Sequence, residues 1–162
     1  VLGVAFVDLS RISEWSDGVQ DALVADFFQR FYGTVVEHLE PAGGRVVKFM
    51  GDAALIVFET EVAEPVIDAL DALAGAVRAM ALDVGLNTYL NVNVHVGPVL
   101  AGTFGPAGHA RFDVIGKTVN IAARLGRRGM VLSPQAFRCL SEAARQRFDK
   151  RMGPITYHRP TG

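Results

Sequence analysis

The sequence predicts an α/β (α+β) protein with a ferredoxin-like βαββαβ sandwich that is extended at its C-terminal end. Apolar strands alternate with two long helical stripes, a tight turn joins two of the strands, and further strand and helix segments follow the βαββαβ order. The chain has 162 residues, of which 50% are hydrophobic, so one domain with a substantial core is expected. We therefore treat residues 1–162 as a single domain.

The first half of the chain supplies a strand, a helix and a hairpin. Residues 2–7 form an apolar strand that ends at Asp8. Residues 19–39 carry apolar side chains at helical spacing, and Pro41 with the following Ala-Gly-Gly ends that helix. Strands at 45–49 and 53–58 flank a tight Met-Gly-Asp turn that contains Asp52.

The second half continues with a helix over residues 64–82 and a strand over 90–96. That strand alternates apolar and polar residues, which predicts a half-buried strand with His95 exposed. After Gly97-Pro98, a strand at 99–104, a strand around Asp113 and a short helix around Asn120 follow. A strand near 130–132 and a helix over about 134–148 complete the prediction.

The short helix after Gly116 carries two polar side chains on an otherwise apolar segment. Asn120 and Arg124 are four residues apart, so they lie on the same face of a helix. A permanently charged guanidinium beside an amide suits phosphate oxygens that gain charge in a transition state. A solvated helix stripe is the alternative interpretation.

Two aspartates are candidate metal ligands. Asp8 ends the first strand, and Asp52 lies in the hairpin turn. Carboxylates on neighbouring strands could share magnesium ions with a substrate phosphate. Taken singly, Asp8 could instead cap the following helix, and Asp52 could be an ordinary turn aspartate.

Three blocks of the sequence resemble, in order and spacing, the signature blocks of class III nucleotidyl cyclase catalytic domains. They are residues 6–10 (FVDLS), 48–52 (KFMGD) and 112–124 (FDVIGKTVNIAAR). Residues 95–102 (HVGPVLAG) resemble the glycine-bearing strand pair between the second and third blocks. The resemblance covers nearly the whole chain and implies the class III cyclase catalytic fold.

The resemblance also implies two bound cations, Mg²⁺ or Mn²⁺. Their ligands would be Asp8, Asp52 and the backbone carbonyl of Leu9. One cation would lower the pKa of the ribose 3′-hydroxyl, and the other would neutralise the phosphates of the departing pyrophosphate. The backbone amides of Ile12 and Ser13, at a helix start, match the family's phosphate-binding segment.

The asparagine and arginine of the short helix would position the ribose and stabilise the reacting phosphate. Arg128 is a further candidate phosphate contact, from a cluster that includes Arg127, although a solvated loop explains these two equally well. The family also offers a late basic residue for the terminal phosphates. Arg151 is our candidate for that role, and Lys150 fits it equally well.

Base choice depends on Lys48 and Asp113. Lys48 only donates hydrogen bonds and an ionised Asp113 only accepts them, which matches adenine and mismatches guanine. A solvated lysine and a strand-end acid are the alternative interpretations. The expected activity is adenylate cyclase, which converts ATP to 3′,5′-cyclic AMP and pyrophosphate. A guanylate cyclase with atypical base contacts, and a nucleotide-binding regulatory module without catalysis, remain open.

The family's geometry implies a symmetric homodimer. In such dimers the metal aspartates come from one subunit, and the base-reading and phosphate-stabilising residues come from the other. All of these residue types are present in this one chain. Only four residues separate Leu125 from Met130, which is fewer than the family usually has there.

The composition limits the kinds of partner and the cellular location that we expect for the chain. The net charge of −1 gives no global field for nucleic acid or anionic membranes. Cys139 is the only cysteine, so no intrachain disulfide can form and a reducing, cytoplasmic location is expected. No apolar run has membrane-spanning length, so we expect no membrane contact from this segment. The chain begins without methionine, and we expect a catalytic domain excised from a larger protein that carries regulatory domains.

Overall fold

This computed structural model describes residues 1–161, which contain nine strands and six α-helices. The strands are β1 (Leu2–Leu9), β2 (Arg45–Met50), β3 (Ala53–Phe58), β4 (Leu90–Gly97), β5 (Leu100–Phe104), β6 (Arg111–Ile115), β7 (Met130–Leu132), β8 (Asp149–Arg151) and β9 (Thr156–Arg159). The helices are α1 (Ile12–Ser16), α2 (Asp21–Leu39), α3 (Ala63–Leu82), α4 (Lys117–Ala122), α5 (Pro134–Arg138) and α6 (Glu142–Arg145).

Seven strands form the main sheet, in the order β2-β3-β1-β4-β7-β9-β8. β1 is the third strand in this order and runs antiparallel to β3 on one side and to β4 on the other. β7 runs parallel to β4, and β8 and β9 extend the sheet at its C-terminal side. β5 and β6 form a separate two-stranded hairpin. The prediction of a mixed α/β sandwich with a C-terminal extension is confirmed.

The two faces of the sheet are buried by different elements. Successive side chains of a strand point to opposite faces, so Ala5 and Val7 join the main core whereas Val4 joins a smaller cluster. Phe27 and Phe31 of α2 are fully buried in the main core. Burying an apolar side chain of this size stabilises the fold by about 1.5–3 kcal/mol. The smaller cluster lies beneath α4 and the β5–β6 hairpin.

The prediction that His95 is exposed was wrong. His95 is buried, and its Nδ1 lies 2.9 Å from the hydroxyl oxygen of Ser133, just after β7. The alternation along β4 indicated a solvent-facing polar side. His95 pairs with Val4 on β1, however, and α4 packs over this side of the sheet. Burial lowers the pKa of the His95 imidazole.

The helix predicted over residues 134–148 is two short helices, α5 and α6. Ser133 caps α5 by accepting from the N–H of Ala136, and Ser141 caps α6 by accepting from the N–H of Ala144. Ser141 also bonds the carboxylate of Glu64 on α3. Serine at an N-cap favours the start of a new helix over continuation of the preceding one. The helix is therefore interrupted between Arg138 and Glu142.

Candidate active site

Two carboxylates meet at one edge of the main sheet. Asp8 lies near the end of β1, and Asp52 lies in the turn between β2 and β3. Asp8 pairs with Ala53 across β1 and β3, so the end of β1 lies beside this turn. The backbone N–H of Leu9 donates to the carbonyl of Asp52 at 3.0 Å. Asp8 and Asp52 both line a cavity of about 670 Å³, which we call the acidic cavity.

The turn that carries Asp52 is held by α2. Gly51 has φ of 65°, a left-handed conformation that favours glycine. The Tyr32 hydroxyl donates to the Gly51 carbonyl at 2.7 Å, and the Tyr32 ring stacks on Phe49 with 4.1 Å between ring centroids. The Tyr32 hydroxyl is protonated at neutral pH and can donate, and burial and then the charge of Asp52 raise its pKa further above 10.0.

Electrostatics in the acidic cavity favour a bound cation. Burial raises the pKa of Asp8, and the nearby charge of Asp52 acts in the same direction. The Asn91 side chain donates to Oδ2 of Asp8 at 3.3 Å, and this bond and the charge of Arg127 oppose that rise. Two carboxylates that share one cavity repel each other, and a cation would relieve this repulsion.

The donor set fits magnesium. The side chains that line the acidic cavity include two carboxylates and no histidine or cysteine, which suits a hard, oxygen-seeking ion. Within residues 1–161, no group of three or more His, Cys, Asp and Glu side chains could enclose a metal. Magnesium is usually bound through one or two carboxylates together with substrate phosphates. Asp8, Asp52 and the carbonyl of Leu9 would thus hold cations that the nucleotide helps to bind.

The amide and guanidinium pair lies in a different place. Asn120 is on α4, and Arg124 follows in a turn whose backbone N–H donates to the carbonyl of Ile121 at 3.0 Å. Both side chains are exposed and line a second cavity of about 430 Å³. Thr118 anchors the start of α4 through its hydroxyl, which donates to the carbonyl of Pro98 at 2.6 Å.

In one chain, the two aspartates and the pair of Asn120 and Arg124 line different cavities. No lining residue is common to the acidic cavity and to the cavity of Asn120 and Arg124. Asp8 lies near the end of β1 and Asp52 in the turn after β2, whereas Asn120 on α4 and Arg124 in the turn after α4 line the other cavity. Within one chain, the four side chains are therefore divided between two cavities.

The candidate base-reading residues contact each other directly. Nζ of Lys48 on β2 donates to Oδ2 of Asp113 on β6 at 2.6 Å. This bond is the main cause that lowers the pKa of the Asp113 carboxyl, and the N–H of Val114, which donates to its Oδ1 at 2.8 Å, acts in the same direction. The guanidinium of Arg45 lies 4.0 Å from the ring centroid of Phe112 and joins the same two strands.

The candidate phosphate contacts are spread over three segments. Ile12 and Ser13 are the first residues of α1, and the preceding residues 9–11 line the acidic cavity. Arg128 does not line that cavity, whereas Arg127 does. Arg151 is exposed at the end of β8, and Pro154 in the following turn lines the cavity of Asn120 and Arg124.

Sequence reasoning missed two asparagines in this region. Asn91 and Asn93 lie two positions apart on β4, on the same face, and both line the acidic cavity. Their polar alternation was visible in the sequence, but it was interpreted as a solvent-facing side. Asn93 is in fact buried, with 7% of its surface exposed.

Comparison with known proteins identifies the family. A model of the adenylate and guanylate cyclase catalytic domain matches residues 2–156. The chain belongs to this family. The matched range includes every candidate site residue described above.

Solved cyclase structures share the fold of this cyclase domain. A bacterial light-regulated adenylyl cyclase superposes with a TM-score of 0.86 at 18% identity, over 96% of this chain and 50% of that one. The guanylyl cyclase Cya2 gives 0.83 at 17% identity, over 99% and 92% of the two chains. The adenylyl cyclase CyaB from P. aeruginosa gives 0.81 at 18% identity, over 97% and 92%. Adenylyl and guanylyl cyclases both occur among these structures, so the fold does not distinguish ATP from GTP as the substrate.

Relatives at higher identity are longer proteins. An uncharacterized protein of Mycobacterium tuberculosis is 32% identical over 124 residues, which is 75% of this cyclase domain and 23% of that protein. A second one from the same organism is 31% identical over 156 residues, which is 91% of this chain and 28% of that protein. The cyclase domain therefore spans about a quarter of these relatives. Between residues 1 and 161, no helix combines the length and apolar character needed to cross a bilayer.

Proposed function

We propose that this cyclase domain is an adenylate cyclase that forms 3′,5′-cyclic AMP and pyrophosphate from ATP. The observation that carries the choice of ATP is the ion pair of Lys48 and Asp113. The Lys48 ammonium has further N–H donors, and the Asp113 carboxylate has further acceptor capacity. Lys48 can therefore donate to a ring nitrogen of adenine while Asp113 accepts from its exocyclic amine. Guanine presents a carbonyl and an N–H at the corresponding edge and would mismatch both groups.

Catalysis is proposed to occur at sites shared by two copies of the chain. Asp8 and Asp52 of one subunit would face Asn120 and Arg124 of the other. The separation of these residues into two cavities of one chain supports this arrangement. A symmetric homodimer would contain two equivalent sites.

Each group of residues has a distinct task in this proposal. Two Mg²⁺ (or Mn²⁺) ions at Asp8 and Asp52, when bound, supply positive charge beside the ribose hydroxyl and the phosphates. Asn120 orients the ribose so that its 3′-oxygen faces the α-phosphate. Arg124 stabilises the charge that develops on that phosphate, and losing such a preorganised donor typically costs about 2.7–4 kcal/mol of barrier. The backbone amides of Ile12 and Ser13 would bind the departing phosphates.

On the basis of the sequence pattern, Arg128 and Arg151 are also proposed to contact the terminal phosphates. Arg151 is exposed on β8, and the turn that follows reaches the cavity of Asn120 and Arg124, which supports its role. Arg128 has weaker support, because it does not line the acidic cavity.

The test is incubation of the chain with ATP or GTP and Mg²⁺ or Mn²⁺, with cyclic nucleotide and pyrophosphate measured against protein concentration. We expect cyclic AMP in excess of cyclic GMP, and turnover that rises faster than linearly with protein concentration as dimers form. An Asn120→Ala chain is the control for contaminating activity. A preference for GTP would instead support a guanylate cyclase. Tight ATP binding with no product in excess manganese would support a regulatory module.

A further inference from the structure

The loop between α4 and β7 is held on both sides of Arg127. The side chain of Asn93 donates to the Gly126 carbonyl at 3.1 Å, on the N-terminal side of Arg127. The side chain of Asn91 accepts from the backbone N–H of Arg128 at 2.8 Å, on its C-terminal side. Two strand residues on one face of β4 thus determine the path of a short, arginine-bearing loop.

The loop backbone has little freedom to change this path. Arg128 has φ of 72°, and Gly129 has φ of 78°, a left-handed region in which glycine is favoured. A side chain at Gly129 would collide with the backbone carbonyl of Arg159. The Gly129 carbonyl in turn accepts from the N–H of Val92 on β4 at 3.0 Å. The loop is therefore fixed by its own backbone as well as by the two asparagines.

This arrangement places a positively charged side chain at the acidic cavity. Arg127 lines the cavity together with Asp8 and Asp52, and it is exposed. Within residues 1–161, the ion pairs at 4.0 Å or less do not include Arg127. Its guanidinium is therefore available to an anion that enters the cavity, and its planar fork suits a phosphate.

On the basis of the proposed function, we infer that Arg127 binds the polyphosphate of the nucleotide from the metal-binding side of the site. Arg127 belongs to the same chain as the aspartates that bind the cations, whereas Arg124 would come from the other subunit. Asn91 and Asn93 are positioning residues that hold the loop of Arg127. Arg127 is thus a phosphate contact in addition to those proposed above, and unlike Arg128 it lines the acidic cavity.

The direct test measures binding of inorganic triphosphate with Mg²⁺ by isothermal titration calorimetry, without turnover. We expect Arg127→Ala to weaken binding by about tenfold or more, since charge-assisted hydrogen bonds are among the stronger ones. Arg30→Ala removes the same charge from an exposed position on α2 outside the acidic cavity and should change affinity by less than about twofold. Equal losses in both variants, or no loss in Arg127→Ala, would overturn the inference.

The positioning role is tested by a double-mutant cycle. Asn93→Ala should weaken triphosphate binding in the wild-type chain but have little further effect in the Arg127→Ala chain. An equal loss in both backgrounds would mean that Asn93 does not act through Arg127. Asn93 is buried, so Asn91→Ala at a half-buried position provides a second cycle if the first variant does not fold. Because the Asn91 side chain also bonds Asp8, only the difference between its effects in the two backgrounds reports on Arg127.

The same samples separate this inference from the proposed function. If the wild-type chain forms cyclic AMP and Arg127→Ala binds triphosphate as the wild type does, the inference fails alone. If the chain forms no cyclic nucleotide but triphosphate binding depends on Arg127, the inference stands and the enzyme proposal fails. If the wild-type chain binds neither triphosphate nor ATP, both fail.

Discussion

Lys48 and Asp113 are 65 positions apart in the sequence, and their side chains form an ion pair with 2.6 Å between Nζ and Oδ2. The pair joins β2 of the main sheet to β6 of the separate hairpin. It presents hydrogen-bond donors and an acceptor at one point, which is the pattern that adenine requires.

Replacing the pair should loosen base selectivity. The double variant Lys48→Glu with Asp113→Cys removes the adenine pattern, and we expect the ratio of kcat/KM for ATP to that for GTP to fall by about tenfold or more. Steady-state turnover with both nucleotides measures this ratio. Arg45→Gln is the matched control, because it removes a charge from the same strand without altering the pair. Unchanged selectivity in the double variant would contradict the base-reading assignment.

Mixed dimers should recover activity from two inactive chains. Asp8→Ala lacks a metal ligand, and Asn120→Ala lacks the ribose-positioning amide, so each homodimer should be inactive. In a random equimolar mixture, half of the dimers are heterodimers with one intact site, and about a quarter of wild-type activity is expected. A mixture of two separately prepared Asp8→Ala samples is the control. Heterodimers proven by mass spectrometry but without turnover would exclude shared sites.

Removing the Tyr32 hydroxyl should weaken cation binding. Tyr32→Phe keeps the ring stack on Phe49 but loses the 2.7 Å bond to the Gly51 carbonyl, next to Asp52. We expect a loss of about 0.5–1.5 kcal/mol in the free energy of unfolding, and weaker Mn²⁺ binding by electron paramagnetic resonance. Thr34→Ala is the control, because it removes another α2 hydroxyl, one that donates to Arg30 within the helix. If both variants bind Mn²⁺ equally well, Tyr32 does not position the turn.

Stability should fall on acidification because His95 is buried. Burial lowers the pKa of His95 from its ordinary value of 6.5, so below pH 6.5 the unfolded chain takes up a proton that the folded chain resists. The contribution is therefore complete above pH 6.5 and is lost as the pH falls towards the lowered folded value. Thermal unfolding from pH 7.5 to 5.5 should show a smaller loss for His95→Gln than for the wild type.

His158 is a second histidine that contributes to the pH dependence. Burial also lowers the pKa of His158, so it contributes in the same direction, and His158→Gln should remove a separate part of the pH dependence. Identical pH profiles for the wild type and His95→Gln would show that the buried imidazole does not govern acid stability.

Local pattern was sufficient for most of the fold. The stripe of Phe27, Phe31 and Val35 predicted α2, and the apolar run before Asp8 predicted β1. Periodicity failed at the ends of elements and on covered faces. The Ser141 cap that divides the last predicted helix is stabilised by Glu64, which is 77 positions away, and such a contact leaves no local trace. His95 was misplaced because its covering elements come from later in the chain.

Residue patterns and motif spacing were enough to predict the family, the order of most strands and helices, and the chemical types at the candidate site. The folded chain shows which of these residues share a cavity. Asp8 and Asp52 meet because β1 pairs with β3, whereas Asn120 and Arg124 line a separate cavity. It also selected Arg127 over Arg128 as the arginine of the acidic cavity. Secondary structure depends largely on residues that are neighbours in the sequence, whereas a cavity depends on contacts between segments that are distant in the sequence.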